Sequence, residues 1–248
     1  MIEVVEMALL ATASATPLLC LDTSALLDLM RDPTRERFSS DHAAAGMSLL
    51  PRAEASGLMI ILTKQVLAEL DDHIDAVQIE CKQAIDRLDL TLGRVLKLFA
   101  AHGAVPSGEL PKLATLEFPN KARSLVTSYR KVATVVNEGE DVVSRAWNRV
   151  ATAKAPGASG KQSMKDCVIV ENYLEIARQL RAKGSTQTVV FLSTNTEDYT
   201  VKRKLHPDLT GDFGGVRLDF AVNFSMARSL IFPNRSASQT PGVAVPSG

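Results

Sequence analysis

A chain of 248 residues, 46% hydrophobic and 23% charged, can bury the core of one large domain and is neither disordered nor fibrous in composition. Its 28 Lys and Arg balance 28 Asp and Glu, which excludes the broad basic excess of a non-specific nucleic-acid binder, so any polyanion must meet a local basic patch or a bound cation. Three scattered cysteines, Cys20, Cys81 and Cys167, form no CxxC pair, which argues against a disulfide framework or a zinc site and points to a reducing cytoplasm.

The opening segment, MIEVVEMALLATASATP, is apolar in its middle but carries Glu3 and Glu6 and no Lys or Arg, unlike a secretory signal. It reads as a short helix or an arm packed on the domain. No apolar run reaches bilayer-spanning length, so no membrane association is expected and the cytoplasm is the expected location. Pro17–Leu21 (PLLCL) reads as a buried strand, with a short helix over Thr23–Arg31 directly after it. Leu58–Leu62 (LMIIL) reads as a second strand, and Lys64–His73 opens the next helix. Helical periodicity without a convincing strand then fills Ile74–Ala101 and Asn120–Ala153, parted by HGAVPSGELPK. This stretch is either a helical insertion, at about residues 74–153, or a cover over one face of the sheet.

Ala155–Gln162 (APGASGKQ) has the composition of a mobile loop. Met164–Ala182 is the clearest amphipathic helix, with Ser163 placed as its N-cap and Gly184 beyond its end. Thr188–Leu192 (TVVFL) and Val216–Phe220 (VRLDF) read as the third and fourth strands. The composition from Pro233 to Gly248 is that of a disordered tail, which leaves one domain over residues 1–232. Strands alternating with helices predict an α/β fold whose central parallel sheet is covered on both faces.

In such a sheet the chemistry collects at the carboxyl ends of the strands. Asp22 closes the first strand, and Glu69 lies in the second turn of the helix after the second strand. Asp166 shares its helix face with Ile169, Val170, Tyr173 and Ala177, so it points inward from the first turn. Asn195 and Asp198 follow the third strand in STNTEDY. Singly, each acid is more often a cap, a turn former or a salt-bridge partner than a ligand. Jointly, they place a carboxylate at each strand end that faces the crevice. Carboxylates so crowded repel one another unless a cation neutralises them. An all-oxygen ligand set selects a hard ion, Mg²⁺ or Mn²⁺.

DTS after the first strand, the helix acid Glu69, KDCVIVE opening a later helix and FLSTNTEDY after a strand resemble PIN-domain ribonucleases. The resemblance lies in Asp22 with Thr23 and Ser24, in Glu69, in Asp166, and in the run Ser193, Asn195, Asp198 and Tyr199. It implies a three-layer α/β/α Rossmann-like fold and hydrolysis of RNA phosphodiester bonds, in a toxin or defence setting among others. It implies that Asp22, Glu69, Asp166 and Asp198, with Asn195, hold one or two ions, and that Thr23 or Ser193 orients a ligand or the attacking water. Asn195 stands where many members carry Asp, which lowers the negative charge.

Lys64, Lys165 and the run Lys202, Arg203 and Lys204 lie near these residues in sequence and are candidates to hold a substrate backbone. A solvated surface run is the plainer reading of KRK, and Lys161 is a weaker candidate. His206 reads as a turn residue before Pro207. An antitoxin or regulatory protein and a homo-oligomer are further candidate partners. Two rival metal-dependent folds each fail at one residue: an adhesion-type DxSxS site meets Leu26, and a haloacid-dehalogenase DxD site meets Ser24. A PIN-like scaffold that binds RNA or a partner protein without cleaving remains the alternative, on the strength of Asn195.

Overall fold

The computed structural model describes residues 1–35, 39–104, 111–157 and 163–233. The expected tail beyond Pro233, residues 158–162 of the expected loop with Lys161, and the middle of HGAVPSGELPK lie outside the described residues. The chain begins with α1 (Val4–Ser14), β1 (Leu18–Leu21), α2 (Thr23–Asp28), α3 (Ser40–Glu54), β2 (Met59–Thr63) and α4 (Lys64–Ala101). It continues through α5 (Phe118–Val132), β3 (Thr134–Val136), α6 (Glu140–Ala151), α7 (Met164–Ala182), β4 (Val189–Leu192) and α8 (Thr196–Tyr199). A hairpin of β5 (Thr200–Val201) and β6 (Lys204–Leu205) precedes α9 (Pro207–Val216), β7 (Leu218–Ala221) and α10 (Phe224–Ile231).

Five strands make one sheet in the order β3–β2–β1–β4–β7, with every neighbouring pair parallel. Parallel strands buried on both faces need unbroken apolar runs. LLCL of β1 and VVFL of β4 are buried at every position. Helices lie on both sides of the sheet. α7 packs with α1, α6 and α9, while α3, α5 and α10 form a second group. The four expected strands all form, and α7 has the bounds that its periodicity predicts.

The segment expected to hold no strand supplies β3, which pairs with β2 from Ile61↔Thr134 to Thr63↔Val136. Three residues, TVV, are too few to display a period, which is why the strand is invisible in sequence. α4 runs unbroken for 38 residues, so a boundary at residue 74 falls inside one helix. α5 returns along it, with Arg123 and Arg130 paired to Asp75 and Asp71. The amino-terminal arm docks on the same edge: Ile2 donates to the Val135 carbonyl at 3.0 Å and accepts from Asn137 at 3.0 Å. α3 was also not expected. Its small residues give a weak pattern, yet Ala45, Gly46 and Leu49 are buried and Tyr129 Oη donates to the Gly46 carbonyl at 2.7 Å.

Two features fix the strand ends. Phe191 of β4 lies within 5.2–6.3 Å, centroid to centroid, of Tyr173, Tyr199, Phe213 and Phe220. Such ring pairs contribute about 0.5–1.5 kcal/mol each beyond their area. Arg149 of α6, only 4% exposed, forks between Glu171 of α7 and Asp212 of α9 and donates to the Ala155 carbonyl. A guanidinium that deep is tolerated because both flanking carboxylates neutralise it. The fork ties α6, α7 and α9 together.

Candidate metal centre

Asp22 is the first residue beyond β1. Its N–H continues the ladder to the Leu192 carbonyl at 2.9 Å, and its side chain caps α2 by accepting from Thr23 N–H at 2.8 Å. The other carboxylate oxygen accepts from Ser24 Oγ and from Ser193 Oγ, both at 2.6 Å. Those serines are themselves acceptors: Ser24 Oγ takes the Thr194 N–H at 3.1 Å and Ser193 Oγ the Asn195 N–H at 3.2 Å. Asp22 is 3% exposed. Burial raises its pKa above the ordinary carboxylate value, and the Glu69 charge adds to this. The three hydrogen bonds oppose the rise without overcoming it.

Thr23 links Asp22 to the next acid, because its Oγ1 donates to Glu69 Oε2 at 2.9 Å. The other Glu69 oxygen accepts from Gln65 Nε2 at 3.0 Å, one helical turn away on α4. Gln65 N–H in turn donates to Glu138 Oε1, just past β3, at 2.9 Å. Among the described residues, neither Asp22 nor Glu69 has a lysine or arginine partner; their donors are hydroxyls and amides. Asp166 sits half-buried in the first turn of α7. Asp198 accepts from Asn195 Nδ2 at 2.9 Å.

Tyr199 feels several of these charges. Its ring packs edge-on against Phe191, and its phenol pKa is held far above the usual tyrosine value by burial first, then by Asp22, Asp166, Cys167 and Glu69. Three of the predicted acids thus act on one buried phenol. Its hydroxyl has no hydrogen-bond partner among the described residues. The gathering is nevertheless looser than the sequence suggested. Among the described residues, no three His, Cys, Asp or Glu side chains are close enough to hold an ion as they stand. The physical reason is visible in the bonds: Asp22 turns to its serines, Glu69 to Thr23 and Gln65, and Asp198 to Asn195.

The predicted basic residues are dispersed. Lys64, Lys165, Lys202, Arg203 and Lys204 are all exposed. Of these five, only Arg203 lines the cleft of about 700 Å³ that shares Ser24, Thr194 and Asn195 with the centre. Lys202 and Lys204 border a separate shallow groove with Pro207. His206 fills the turn role expected of it: its Nδ1 caps α9 by accepting from Asp208 N–H at 3.2 Å.

Sequence reasoning missed Ser24 and Tyr199 as working parts of the centre, although both lie in the motifs. It missed Gln65, whose signal was its i,i+4 spacing to Glu69. It also missed Arg31, Arg35 and His42 of the cleft.

In a parallel sheet of this kind, ligands bind at the carboxyl ends of the strands, where these acids lie. The family model described as "PIN domain" matches residues 19–199, well over half of the chain, and the chain belongs to that family. No curated protein and no solved structure matches it. PIN domains are generally nucleases and usually use divalent metal ions. The residues present fit such an ion in their chemistry: every candidate donor is a carboxylate or amide oxygen. The buried Tyr199 hydroxyl, without a hydrogen-bond partner among the described residues, lies in the field of three of those carboxylates. No helix among the described residues is long and apolar enough to cross a membrane.

Proposed function

We propose that this PIN domain is a Mg²⁺- or Mn²⁺-dependent endoribonuclease. The observation that carries the reading is Asp22: a buried carboxylate with its pKa raised, supported by neutral donors alone, in electrostatic contact with Glu69. Asp22, Glu69, Asp166 and Asp198, with the Asn195 amide oxygen, would hold the ion. When bound, the ion would lower the pKa of a coordinated water and neutralise charge on the scissile phosphate.

The chain's own residues set the stage. Ser24 and Ser193 fix the Asp22 carboxylate, and Thr23 and Gln65 fix that of Glu69. Covalent catalysis by a thiol is disfavoured: burial pushes Cys81 and Cys167 up to about 11 and Cys20 higher still. In this reading the nucleophile is a water activated by the ion.

The rival reading, a scaffold that binds without cutting, draws on Asn195 and on the open arrangement of the carboxylates. One assay separates them. The purified protein is incubated with a panel of RNAs in Mn²⁺ and in EDTA. Cleavage only in Mn²⁺, abolished in Asp22→Asn and Asp166→Asn, supports the nuclease. Unchanged cleavage by both variants removes those residues from the mechanism, and binding without cleavage by the wild type supports the scaffold.

A further inference from the structure

We propose that Glu138, just past the edge strand β3, is a positioning residue of the metal centre: it anchors the first turn of α4 so that Gln65 keeps its hold on the Glu69 carboxylate. The inference rests on the nuclease reading for the role of Glu69 as an ion ligand. Glu138 is not among the expected site residues because β3, the strand that delivers it, shows no pattern in the sequence.

The sheet brings the two segments together. β3 runs parallel to β2, and their register ends at Thr63↔Val136. The chain therefore leaves β3 toward Glu138 beside the point where it leaves β2 toward α4. Thr63 is the N-cap of α4 and accepts from Val66 N–H at 3.2 Å. The N–H of Gln65 is one of the donors that a helix start leaves without an internal partner. Glu138 Oε1 accepts from it at 2.9 Å, and among the described residues Glu138 has no other hydrogen bond and no ion pair. The stretch that carries Glu138 is itself held on both sides. β2 pairs with β3 on one side; on the other, Asn137 N–H donates to the Ile2 carbonyl and Asn137 Nδ2 to Glu3, both at 3.0 Å.

An acid at a helix start is ordinarily only a favourable partner for the helix dipole. Two observations take Glu138 further. α4 already has its cap in Thr63, so the start of the helix does not depend on Glu138 alone. The residue that Glu138 holds is also the one that holds Glu69. Gln65 Nε2 donates to Glu69 Oε1 at 3.0 Å, while Thr23 Oγ1 donates to Oε2 at 2.9 Å. Both oxygens of Glu69 are thus fixed, one from α2 and the other through Gln65 from the edge of the sheet. A long glutamine side chain is rich in rotamers, and its hold on a carboxylate one turn away is only as firm as the main chain at its base. Outer partners of this kind orient the residues that bind an ion, and their loss typically costs about 10–100-fold in metal affinity.

The test combines calorimetric titration with Mn²⁺ and NMR of the Gln65 side-chain amide in EDTA. The variants are E138A, E138Q, Q65L and E138A/Q65L, with E140A, which removes an exposed acid from the first turn of α6, as the control. Expected is a loss of Mn²⁺ affinity of about tenfold in E138A and in Q65L, with no further loss in the double variant. E138Q, whose amide oxygen still accepts from Gln65 N–H, binds within about twofold of wild type. E140A binds as wild type, whatever its thermal midpoint. In EDTA the Gln65 amide is ordered in wild type and in E138Q, and it loses order in E138A.

Wild-type Mn²⁺ affinity in E138A, or an equally ordered Gln65 amide, overturns the proposal. An equal loss in E138Q assigns the effect to charge, and additive losses in the double variant make the two contributions separate; either result overturns it too. So does an E138A that cannot fold, because α4 would then need Glu138 simply to form. The nuclease reading is scored separately. Wild type that cleaves in Mn²⁺, with E138A unchanged in affinity, keeps the nuclease and removes Glu138. Wild type that takes up no Mn²⁺, with Gln65 loosened in E138A, removes the nuclease and keeps the hold of Glu138 on Gln65.

Discussion

Replacing Asp22 by Asn removes one charge and keeps the shape, so it weighs the burial of that charge against its hydrogen bonds. Burying a carboxylate costs several kcal/mol. Three bonds oppose that cost, from Thr23 N–H, Ser24 Oγ and Ser193 Oγ, and bonds to a charged group contribute about 1.5–3 kcal/mol each. In the Asn variant the Thr23 bond survives and the two hydroxyls rotate to accept, each bond falling to about 0.5–1.5 kcal/mol. The bonds then lose roughly 3–4 kcal/mol in total, while the larger burial cost disappears. The Asn variant is therefore expected to be more stable in EDTA at pH 7 by about 1 kcal/mol, or about 2–4 °C in Tm.

The sign of the pH dependence follows from the raised pKa of Asp22. In the window above the unfolded aspartate pKa, the folded protein holds more protons than the unfolded one, so stability falls as pH rises through it. The variant's advantage should shrink when the pH is lowered toward 4. Saturating Mn²⁺ should reverse the order. At a hundredfold excess over Kd it adds about 2.7 kcal/mol to wild type and little to the variant. Thermal melts of both proteins, with and without Mn²⁺ at several pH values, give the answer. A variant less stable than wild type in EDTA at pH 7 would refute the reasoning, because the hydrogen bonds alone would then satisfy the carboxylate.

Other expected outcomes probe the supports. Arg149→Met leaves Glu171 to Arg145 and Arg178 and Asp212 to Lys154, and should cost about 1–3 kcal/mol by urea titration, with Arg149→Lys rescuing little because it lacks the fork. Tyr199→Phe deletes only an unpartnered hydroxyl and should change stability in EDTA by no more than about 0.5 kcal/mol, whereas Tyr199→Ala, which empties the ring's place against Phe191, should cost about 3–5 kcal/mol. Thr23→Val removes the hydroxyl that holds Glu69, should cost about 1–2 kcal/mol, and should reduce the Mn²⁺-induced rise in Tm.

The parts of the fold that could be read in the sequence are those where one physical demand acts alone. β1 and β4 are buried on both faces, so their runs are wholly apolar, and α7 carries an unbroken periodic face over 19 residues. β3 was hidden because an edge strand of three residues has no room for a pattern, and α3 because alanine and glycine make contacts that hydropathy barely registers. At the centre, the positions of Asp22, Glu69 and Asp166 followed from topology, since parallel strands bring their carboxyl ends to one edge. Where each carboxylate turns was not legible. That depends on the serine, threonine and glutamine rotamers around it, which spacing does not encode. The cleft arginines escaped notice because Arg35 lies between elements, where no period marks which way a side chain points, and because the helix expected to reach Arg31 ends at Asp28.

The serines explain how a site drawn from residues 171 positions apart is kept in register. Each hydroxyl has one proton to give and lone pairs with which to accept. Ser24, carried by α2, gives its proton to Asp22 and accepts the N–H of Thr194 from the loop after β4. Ser193, at the end of β4, gives its proton to the same Asp22 oxygen and accepts the N–H of Asn195. The two strand-end loops are thus bonded to one another through a carboxylate that burial makes reluctant to ionise. A group that fixes the loop carrying Asn195 and Asp198 is at the same time the group most in need of a cation. Its geometry and its electrostatics therefore bear on the same position, the one where the proposed ion would sit.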